Sequence, residues 1–271
     1  MRMLKTYLVV VGVALLAFAV SQTVARAASV DEVLDKVLTH ETKTFETDMK
    51  TTMNARGQAM ESSGHMVVQN IIADGKYTGH LVNMTQTTKM PQGEMSTLIV
   101  NDGEFVWMQS SNPMTGMMVI KNKSNTPQKQ LTGDVVHQLR EMYDLKLAGV
   151  EQFDGQAMWV LEGTPKEKAA DNAGPGARHG GPAFGKAKIY VGQKDFACHR
   201  LIGYDKAGAE VTDTQFTNIK VNQPVDPALF KYTPPADARI MDMTKGRPSM
   251  EDLKRMMPTK PSRHEDNDGG E

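Results

Sequence analysis

The hydrophobic positions near the start of the chain follow first the period of a helix and then the period of a strand. Ser29 and Glu32 have the spacing of a capping box, in which the serine side chain caps a helix N-terminus. Apolar residues then recur at intervals of three and four, as on one face of an amphipathic helix: Val30, Val33, Leu34, Val37 and Leu38. From Phe45 to Met53 apolar and polar residues alternate, which predicts a strand with one buried face.

Further strand-like runs, separated by turn residues, follow along the chain. Asp74-Gly75 and Asp154-Gly155 are typical of tight turns. The predicted strands are His65–Ile72, Lys76–Gln86, Met95–Asn101, Phe105–Gln109, Met117–Lys121, Leu145–Glu151, Ala157–Gly163, Lys186–Val191, His199–Asp205 and Glu210–Val221. A second amphipathic helix is predicted between Asp134 and Tyr143. Short consecutive strands with brief turns indicate an antiparallel, mainly β fold with a few helices.

The two ends of the chain and one internal stretch differ from this body. A basic start precedes an uncharged run over Tyr7–Val20, and Ala25-Arg26-Ala27 has the small-x-small pattern of a cleavage site. Residues 1–27 are therefore predicted to be a cleavable secretory signal peptide. The Gly- and Pro-rich stretch 166–185 is predicted to be a mobile insertion, and the polar stretch 243–271 a partly disordered tail.

Composition and motifs narrow the classes of function. With 31 basic and 32 acidic residues the formal net charge is -1, so a nucleic-acid partner is not expected. The single cysteine, Cys198, excludes an internal disulfide framework and multi-cysteine metal sites. The sequence has no zinc-binding helix motif, nucleophile elbow, Walker loop or dinucleotide fingerprint. We therefore expect a non-enzymatic binding protein without a cofactor or a bound metal.

Methionine is the unusual component of this sequence. Twenty methionines stand against eight Phe, two Trp and six Tyr, and many fall in the predicted strands between residues 45 and 121. Flexible thioether side chains suit an apolar surface that adapts to irregular ligands. Two other readings stay open: ordinary core packing, and a soft-ligand Cu(I) site formed by Met114, Met117 and Met118.

A series of short motifs in the body of the chain points to a known family. The motifs are Asn101–Met108, Ile189–Val191, Arg200-Leu201, Asp205–Gly208, Phe216–Asn222, Val225–Phe230 and Tyr232–Pro235. In this order, after a signal peptide and an amphipathic helix, they resemble the outer-membrane lipoprotein carrier family with its LolA/LolB-like fold. The resemblance extends over about residues 29–242.

The resemblance implies an architecture and a function. The architecture is an unclosed antiparallel β half-barrel over residues 28–242, with helices covering its concave face. In the family, the apolar cavity takes up the acyl chains of lipoproteins and carries them across the periplasm between an inner-membrane donor and an outer-membrane acceptor. Arg56 is a candidate for the arginine that holds the lid closed. Members of the same fold also act as envelope stress sensors or structural partners, which remains an alternative.

The residues expected to line the cavity follow from strand alternation, since every second side chain of a strand points to the same face. The predicted lining residues are Phe45, Met49, Met66, Val68, Leu98, Val100, Phe105, Trp107 and Ile189.

Overall fold

The computed structural model describes residues 29–55, 58–74, 76–91, 93–113, 116–124, 140, 142–166, 184–236 and 238–246. The predicted signal peptide, Arg56, Met114, most of the insertion and most of the tail lie outside the described residues. The chain divides into two compact units. The smaller unit contains the first helix and residues 136–209, and the larger contains residues 41–135 and 210–271.

The described residues include one complete α-helix, twelve strands and one short 3-10 helix. In chain order they are α1 (Val30–Thr39), β1 (Thr44–Ala55), β2 (Gln58–Ala73), β3 (Lys76–Met90), β4 (Gly93–Asn101), β5 (Phe105–Asn112), β6 (Gly116–Lys123), β7 (Tyr143–Phe153), β8 (Gln156–Pro165), β9 (Lys186–Gly192), β10 (Cys198–Tyr204), β11 (Glu210–Val221), the 3-10 helix (Pro227–Phe230) and β12 (Arg239–Asp242). Among these residues, no helix is long and apolar enough to span a bilayer.

The predicted first helix is confirmed, together with its cap. The Ser29 hydroxyl accepts a hydrogen bond from the Glu32 backbone N–H at 3.1 Å, which satisfies one of the free donors of the first turn. The buried side of α1 packs on the sheet of the smaller unit. This cluster consists of Val33, Leu34, Val37, Trp159, Leu161, Ile189 and Val191. The helix therefore covers one face of that sheet.

The sheet of the smaller unit has the strand order β10-β9-β8-β7. β7 and β8 are joined through Asp154 and Gly155, which have φ angles of 49° and 70°. Positive φ at both central residues is the requirement of a type I′ turn, whose twist matches that of the flanking strands. The start of β7 corrects one boundary: Arg140 and Met142 are helical, but Tyr143 already belongs to the strand. Residues 134–139 of the predicted second helix lie outside the described residues.

The larger unit has the strand order β12-β6-β5-β4-β3-β2-β1-β11. All neighbouring strands are antiparallel except β12, which pairs in parallel with β6. The series runs from one strand to the next without returning to the first. The prediction of a mainly β, unclosed antiparallel fold is thus confirmed.

Candidate ligand-binding face

One row of paired residues crosses seven strands of the larger unit and is almost entirely apolar. From β1 to β12 the row consists of Thr47, Met66, Met84, Ile99, Met108, Ile120 and Met241. Directly paired residues of a ladder point to the same side of the sheet, so these side chains share one face. Six strand spacings of about 4.8 Å give the row a length of roughly 29 Å. We call this side the methionine face.

Two further rows of paired residues flank the methionine row, and they differ from it in polarity. On one side Phe45 pairs with Val68 and Val68 with Val82, but the same row continues through Asn101, Val106 and Asn122. In the other direction the next row contains Met49, Gly64 and Gln86, and it also ends on a methionine at β6. Both neighbouring rows therefore mix apolar and polar residues, and the methionine row itself is the most apolar part of this face.

The methionine face is only partly buried. Met66, Met84, Ile99 and Ile120 are all half-buried. Met108, which lies in the row, is 37% exposed, and Met118, two residues before Ile120 on β6, is 40% exposed. Large apolar side chains left at this exposure on a continuous surface are typical of a site that binds apolar ligands or partners. The face therefore has the composition and the accessibility that a lipid-binding surface needs.

The opposite side of the same sheet is partly covered. Val67, Val100 and Val119 point to this side and are at most 2% exposed. The segment after β11 packs against this side: Phe230 is 2% exposed, and the Tyr232 ring lies 5.4 Å from the Trp107 ring. We call this side the covered face. Both faces have buried and open parts, since Thr47 and Val68 on the methionine face are at most 2% exposed and Ile240 on the other face is 43% exposed. The exposed side chains of Met108 and Met118 make the open part of the methionine face the candidate surface.

Hydrogen bonds fix the segment that covers this face. Asp226 caps the 3-10 helix by accepting from the Ala228 backbone N–H at 2.8 Å. The Asn83 side chain donates to the Leu229 carbonyl at 2.7 Å, and the Tyr232 hydroxyl donates to the Gln109 side chain at 2.7 Å. Burial also raises the pKa of the Tyr232 hydroxyl. The covering segment is therefore anchored at both ends.

The Asn101–Met108 motif shapes the turn between β4 and β5. The Asp102 carboxylate accepts from the Glu104 and Phe105 backbone N–H groups at 2.9 and 2.7 Å, and from the Trp107 indole N–H at 3.0 Å. These bonds hold the start of β5 so that Trp107 lies on the covered face and Met108 on the methionine face. The turn thus sets which side chains of β5 are available for binding.

A polar groove of about 420 Å³ lies over β1, β2 and β3. Asp48 accepts hydrogen bonds from the Asn218 amide and from His65, both at 2.7 Å, and these bonds lower the pKa of the Asp48 carboxyl. Beside them, the Lys220 ammonium lies 2.7 Å from Glu46. Since most of its lining side chains are polar or charged, this groove is less suited to an apolar ligand than the methionine face.

The nine predicted lining residues do not lie together. Phe45, Met49, Met66 and Val68 point to the methionine face. The pairing of Ile99 with Met84 and with Met108 places their neighbours on the other side. These neighbours on the covered face are Leu98, Val100, Phe105 and Trp107. Ile189 lies in the smaller unit, where it packs against α1. Whether any of these residues contacts a ligand stays a prediction.

Sequence reasoning missed most of the methionine row. Met84, Ile99, Met108, Ile120 and Met241 belong to five different strands at irregular sequence intervals. Only the register of the strands aligns them, so no local spacing in the sequence reveals the row. The excess of methionine in the strand region was the one available signal.

Among the described residues, the structure does not bring together those that the sequence suggested for metal binding or reactivity. Met117 pairs with Ser111 and Met118 with Ser110, so the two methionines point to opposite faces of β6. In the part of the chain that the structure describes, no group of three or more His, Cys, Asp or Glu is arranged to hold a metal ion. Cys198 packs against the α1 cluster, and burial raises the pKa of its thiol to about 12.

Comparison with known proteins connects this architecture to a family. No family model matches the chain. The chain is 26% identical over 230 residues to an outer-membrane lipoprotein carrier protein of Dechloromonas aromatica, and the match covers 83% of this chain and 92% of that protein. The resemblance to the lipoprotein carrier family is confirmed. A second relative, an uncharacterized protein of Methanocaldococcus jannaschii, is 23% identical over 193 residues, which span 70% of this chain and about half, 51%, of that protein.

Several solved structures are similar to this chain at low sequence identity. An uncharacterized conserved protein of Thermus thermophilus has a TM-score of 0.41 at 15% identity, with 78% of this chain and 98% of that chain covered. LprF of Mycobacterium bovis has a TM-score of 0.41 at 14% identity, with 72% and 93% covered. A LolA superfamily protein of Nitrosomonas europaea has a TM-score of 0.28 at 15% identity, with 77% and 99% covered. The family resemblance of this chain rests on the sequence match to the carrier protein.

Proposed function

We propose that this protein is a periplasmic binding protein or carrier that shelters the acyl chains of a lipid or lipoprotein on its methionine face, in outer-membrane lipoprotein sorting. The observation that carries the proposal is the continuous, part-exposed row that includes Met66, Met84 and Met108. The lipoprotein carrier relative supports the class of ligand. The signal peptide expected at residues 1–27 supports the location.

The dimensions and chemistry of the row suit an acyl chain. An acyl chain of one bilayer leaflet extends over about half of the ~30 Å hydrocarbon core, roughly 15 Å. The row is roughly 29 Å long, so the whole of such an acyl chain can lie on it. Each CH₂ group that leaves water contributes about 0.8 kcal/mol, so a chain of ordinary length gains enough to be retained without a polar anchor.

Methionine suits a carrier that must also release its cargo. The thioether side chain is unbranched and rotates freely, so it fills gaps around chains that differ in length or unsaturation. A lining of rigid aromatic rings would favour one ligand shape over others. An adaptable surface therefore fits a role in binding and transfer rather than in catalysis.

The proposal is tested with a charged residue on each face of one strand. Met84 is half-buried on the methionine face, and its neighbour Thr85 is exposed on the opposite side of β3. We expect Met84→Glu to weaken binding of a fluorescent fatty-acyl probe at least tenfold, because a carboxylate beneath an acyl chain loses its hydration. Thr85→Glu, the matched control, is expected to leave the affinity unchanged. Equal affinities for both variants would refute the assignment of the ligand to this face.

Native mass spectrometry of protein purified from the cell envelope gives a second, independent test. The expected spectrum contains a fraction of protein with an added mass that falls in the range of lipids or acylated proteins. Recovery of lipid-free protein alone, together with no binding of the acyl probe, would overturn the proposed function.

A further inference from the structure

Among the described residues of the larger unit, the most exposed methionines lie on one side of the sheet. Met53, Met108 and Met118 are 43%, 37% and 40% exposed. Met53 pairs with Met60 on β2, in the same alternation as Met66, so it also points to the methionine face. The surface proposed to bind apolar ligands therefore carries solvent-exposed methionines, whose thioethers can be oxidised.

We infer that Met108 and Met118 form an oxidation-sensitive modification site, at which a two-electron oxidant such as hypochlorous acid reversibly switches off the apolar binding surface. This inference rests on the proposed function for its ligand, while the site of modification follows from exposure alone. Neighbouring strands carry the two residues: Met108 pairs with Ile120, and Met118 lies two residues before Ile120 on the same face. The two thioethers thus belong to one patch at the β6 end of the face.

The chemistry is an oxygen transfer to sulfur. The thioether lone pair attacks the electrophilic chlorine of hypochlorous acid, which forms an S–Cl bond and releases hydroxide. Water then displaces chloride, and the sulfoxide forms as the remaining protons are lost. In sum, sulfur loses two electrons to the oxidant, and thioether plus HOCl gives sulfoxide, chloride and a proton. A methionine sulfoxide reductase reverses the change with two electrons and two protons, and releases water.

The structure explains why this change would act on binding and not on the fold. Met158, in the core of the smaller unit, is 0% exposed, so it is protected while the protein stays folded. Met108 and Met118 are accessible, and their oxidation leaves the buried valines of the covered face untouched. A sulfoxide is polar and accepts hydrogen bonds, so an acyl chain laid over it leaves it unsatisfied. Oxidation therefore makes the patch unfavourable for an apolar ligand.

The experiment treats the purified full chain with increasing amounts of hypochlorous acid. Peptide mass spectrometry then locates the sulfoxides, and a fluorescent fatty-acyl probe measures affinity. We expect Met53, Met108 and Met118 to be modified well before Met158, and the affinity for the probe to fall about tenfold. A mixture of the two methionine sulfoxide reductases, one for each sulfoxide epimer, is expected to restore the affinity. Modification of Met158 at the same rate as Met108 would overturn the inference, because it would mean that the oxidant acts by unfolding the protein.

Leucine variants separate the proposed site from exposure in general. Leucine is apolar and has no sulfur, so the affinity of the double variant Met108→Leu/Met118→Leu, whatever its value before treatment, is expected not to change on treatment. Met53→Leu is the matched control. Met53 is as exposed as Met108 and Met118, but it lies near the end of β1, away from Thr47 and the methionine row. This control is expected to lose affinity on oxidation as the unmodified sequence does. Loss of affinity in the double variant to the same extent would overturn the inference.

Refutation of the proposed function can be distinguished from refutation of the oxidation site. If the reduced protein does not bind the acyl probe, the proposed function is refuted. The modification site is then judged by retention on a phenyl column, which reports the apolar surface without a lipid. A reductase-reversible loss of retention that is absent in the double variant supports the site, and unchanged retention after oxidation overturns it.

Discussion

Two consecutive residues of β4 provide the sharpest test of the assignment of the two faces. Val100 is 1% exposed on the covered face, whereas Ile99 is half-buried on the methionine face. Alanine at position 100 should therefore reduce the stability of the larger unit and leave ligand binding unchanged. Alanine at position 99 should weaken binding and have the smaller effect on stability.

The magnitudes follow from the carbon atoms removed. Val100→Ala deletes two methyl groups from a fully buried position, which costs about 1.6 kcal/mol at 0.8 kcal/mol per carbon. The cavity left behind raises the loss of unfolding free energy to about 2–3 kcal/mol. Ile99→Ala deletes three carbons, worth about 2.4 kcal/mol when they pass fully from water to an apolar surface. Because Ile99 is already half-buried in the free protein, about half of this transfer free energy contributes to binding. Its loss raises the Kd for an acyl probe about eightfold.

The two tryptophans make the stability measurement specific. Trp107 lies in the larger unit and Trp159 in the smaller, and the sequence contains no others. In a Trp159→Phe background, fluorescence during urea unfolding reports on the larger unit. The fluorescent acyl probe gives the affinity of the same variants. If Val100→Ala weakens binding while Ile99→Ala causes the larger loss of stability, the faces have been assigned in reverse.

Three further predictions concern the smaller unit. Leu34→Ala should lower its unfolding free energy by about 2–5 kcal/mol, because Leu34 is 2% exposed beneath α1; an unchanged Tm would contradict this packing. Burial raises the pKa of Asp195, but the bonds from His199 at 2.9 Å and from a backbone N–H outweigh it and lower the pKa. A lowered pKa stabilises the fold above the unfolded value, near 3.8, and this contribution disappears as the pH falls through the folded value. The loss of Tm in Asp195→Asn should therefore be large at pH 7 and shrink towards pH 3; a constant difference would contradict it. The Cys198 thiol should react with iodoacetamide far more slowly in the folded protein than in urea, since burial raises its pKa to about 12; equal rates would refute this.

Local features of the fold could be predicted because each depends on a few adjacent residues. The cap of α1 requires only a hydroxyl at Ser29 and a backbone donor three residues later. The turn at Asp154-Gly155 requires two residues that tolerate positive φ. Alternation over Phe45–Met53 predicts β1, because its two faces differ in polarity. In these cases the physical cause lies within one stretch of sequence.

The assignment of faces could not be predicted in the same way. Within β4, Leu98, Ile99 and Val100 are all apolar, so alternation does not indicate which of them faces a ligand. The pairing of Ile99 with Met84 and with Met108 decides it, and that pairing depends on the two turns that flank β4. The same holds for Met241, which enters the row only because β12 pairs with β6. A property set by the register of several strands has no local signature.

Two sets of residues have different roles in this protein. The motifs of the family resemblance stabilise the scaffold, and the residues of the methionine row form the proposed binding surface. The Asn222 side chain accepts from the Lys43 N–H at 2.6 Å and donates to the Glu41 carbonyl at 2.9 Å, so it fixes the entry into β1. Asp102 holds the turn before β5, and Asp226 caps the helix over the covered face. These side chains build the scaffold and lie away from the acyl surface that we propose.

Apart from Thr47, which is buried and donates to the Thr217 carbonyl, the residues of the row are half-buried or exposed, so other apolar side chains could replace them without loss of the scaffold. A chain can therefore keep the carrier architecture while its cargo preference changes through the row. This separation predicts a measurable difference between the two sets. Replacing Met66 and Met84 by leucine should alter the relative affinities for saturated and unsaturated acyl probes and leave the unfolding free energy within about 1.5 kcal/mol per residue, because the stiffer leucine adapts less to a bent chain. Asn222→Ala should lower the unfolding free energy and leave the ratio of the two affinities unchanged. If the leucine variants keep the original ratio while Asn222→Ala changes it, the row does not determine the cargo, and the separation of scaffold from binding surface is wrong.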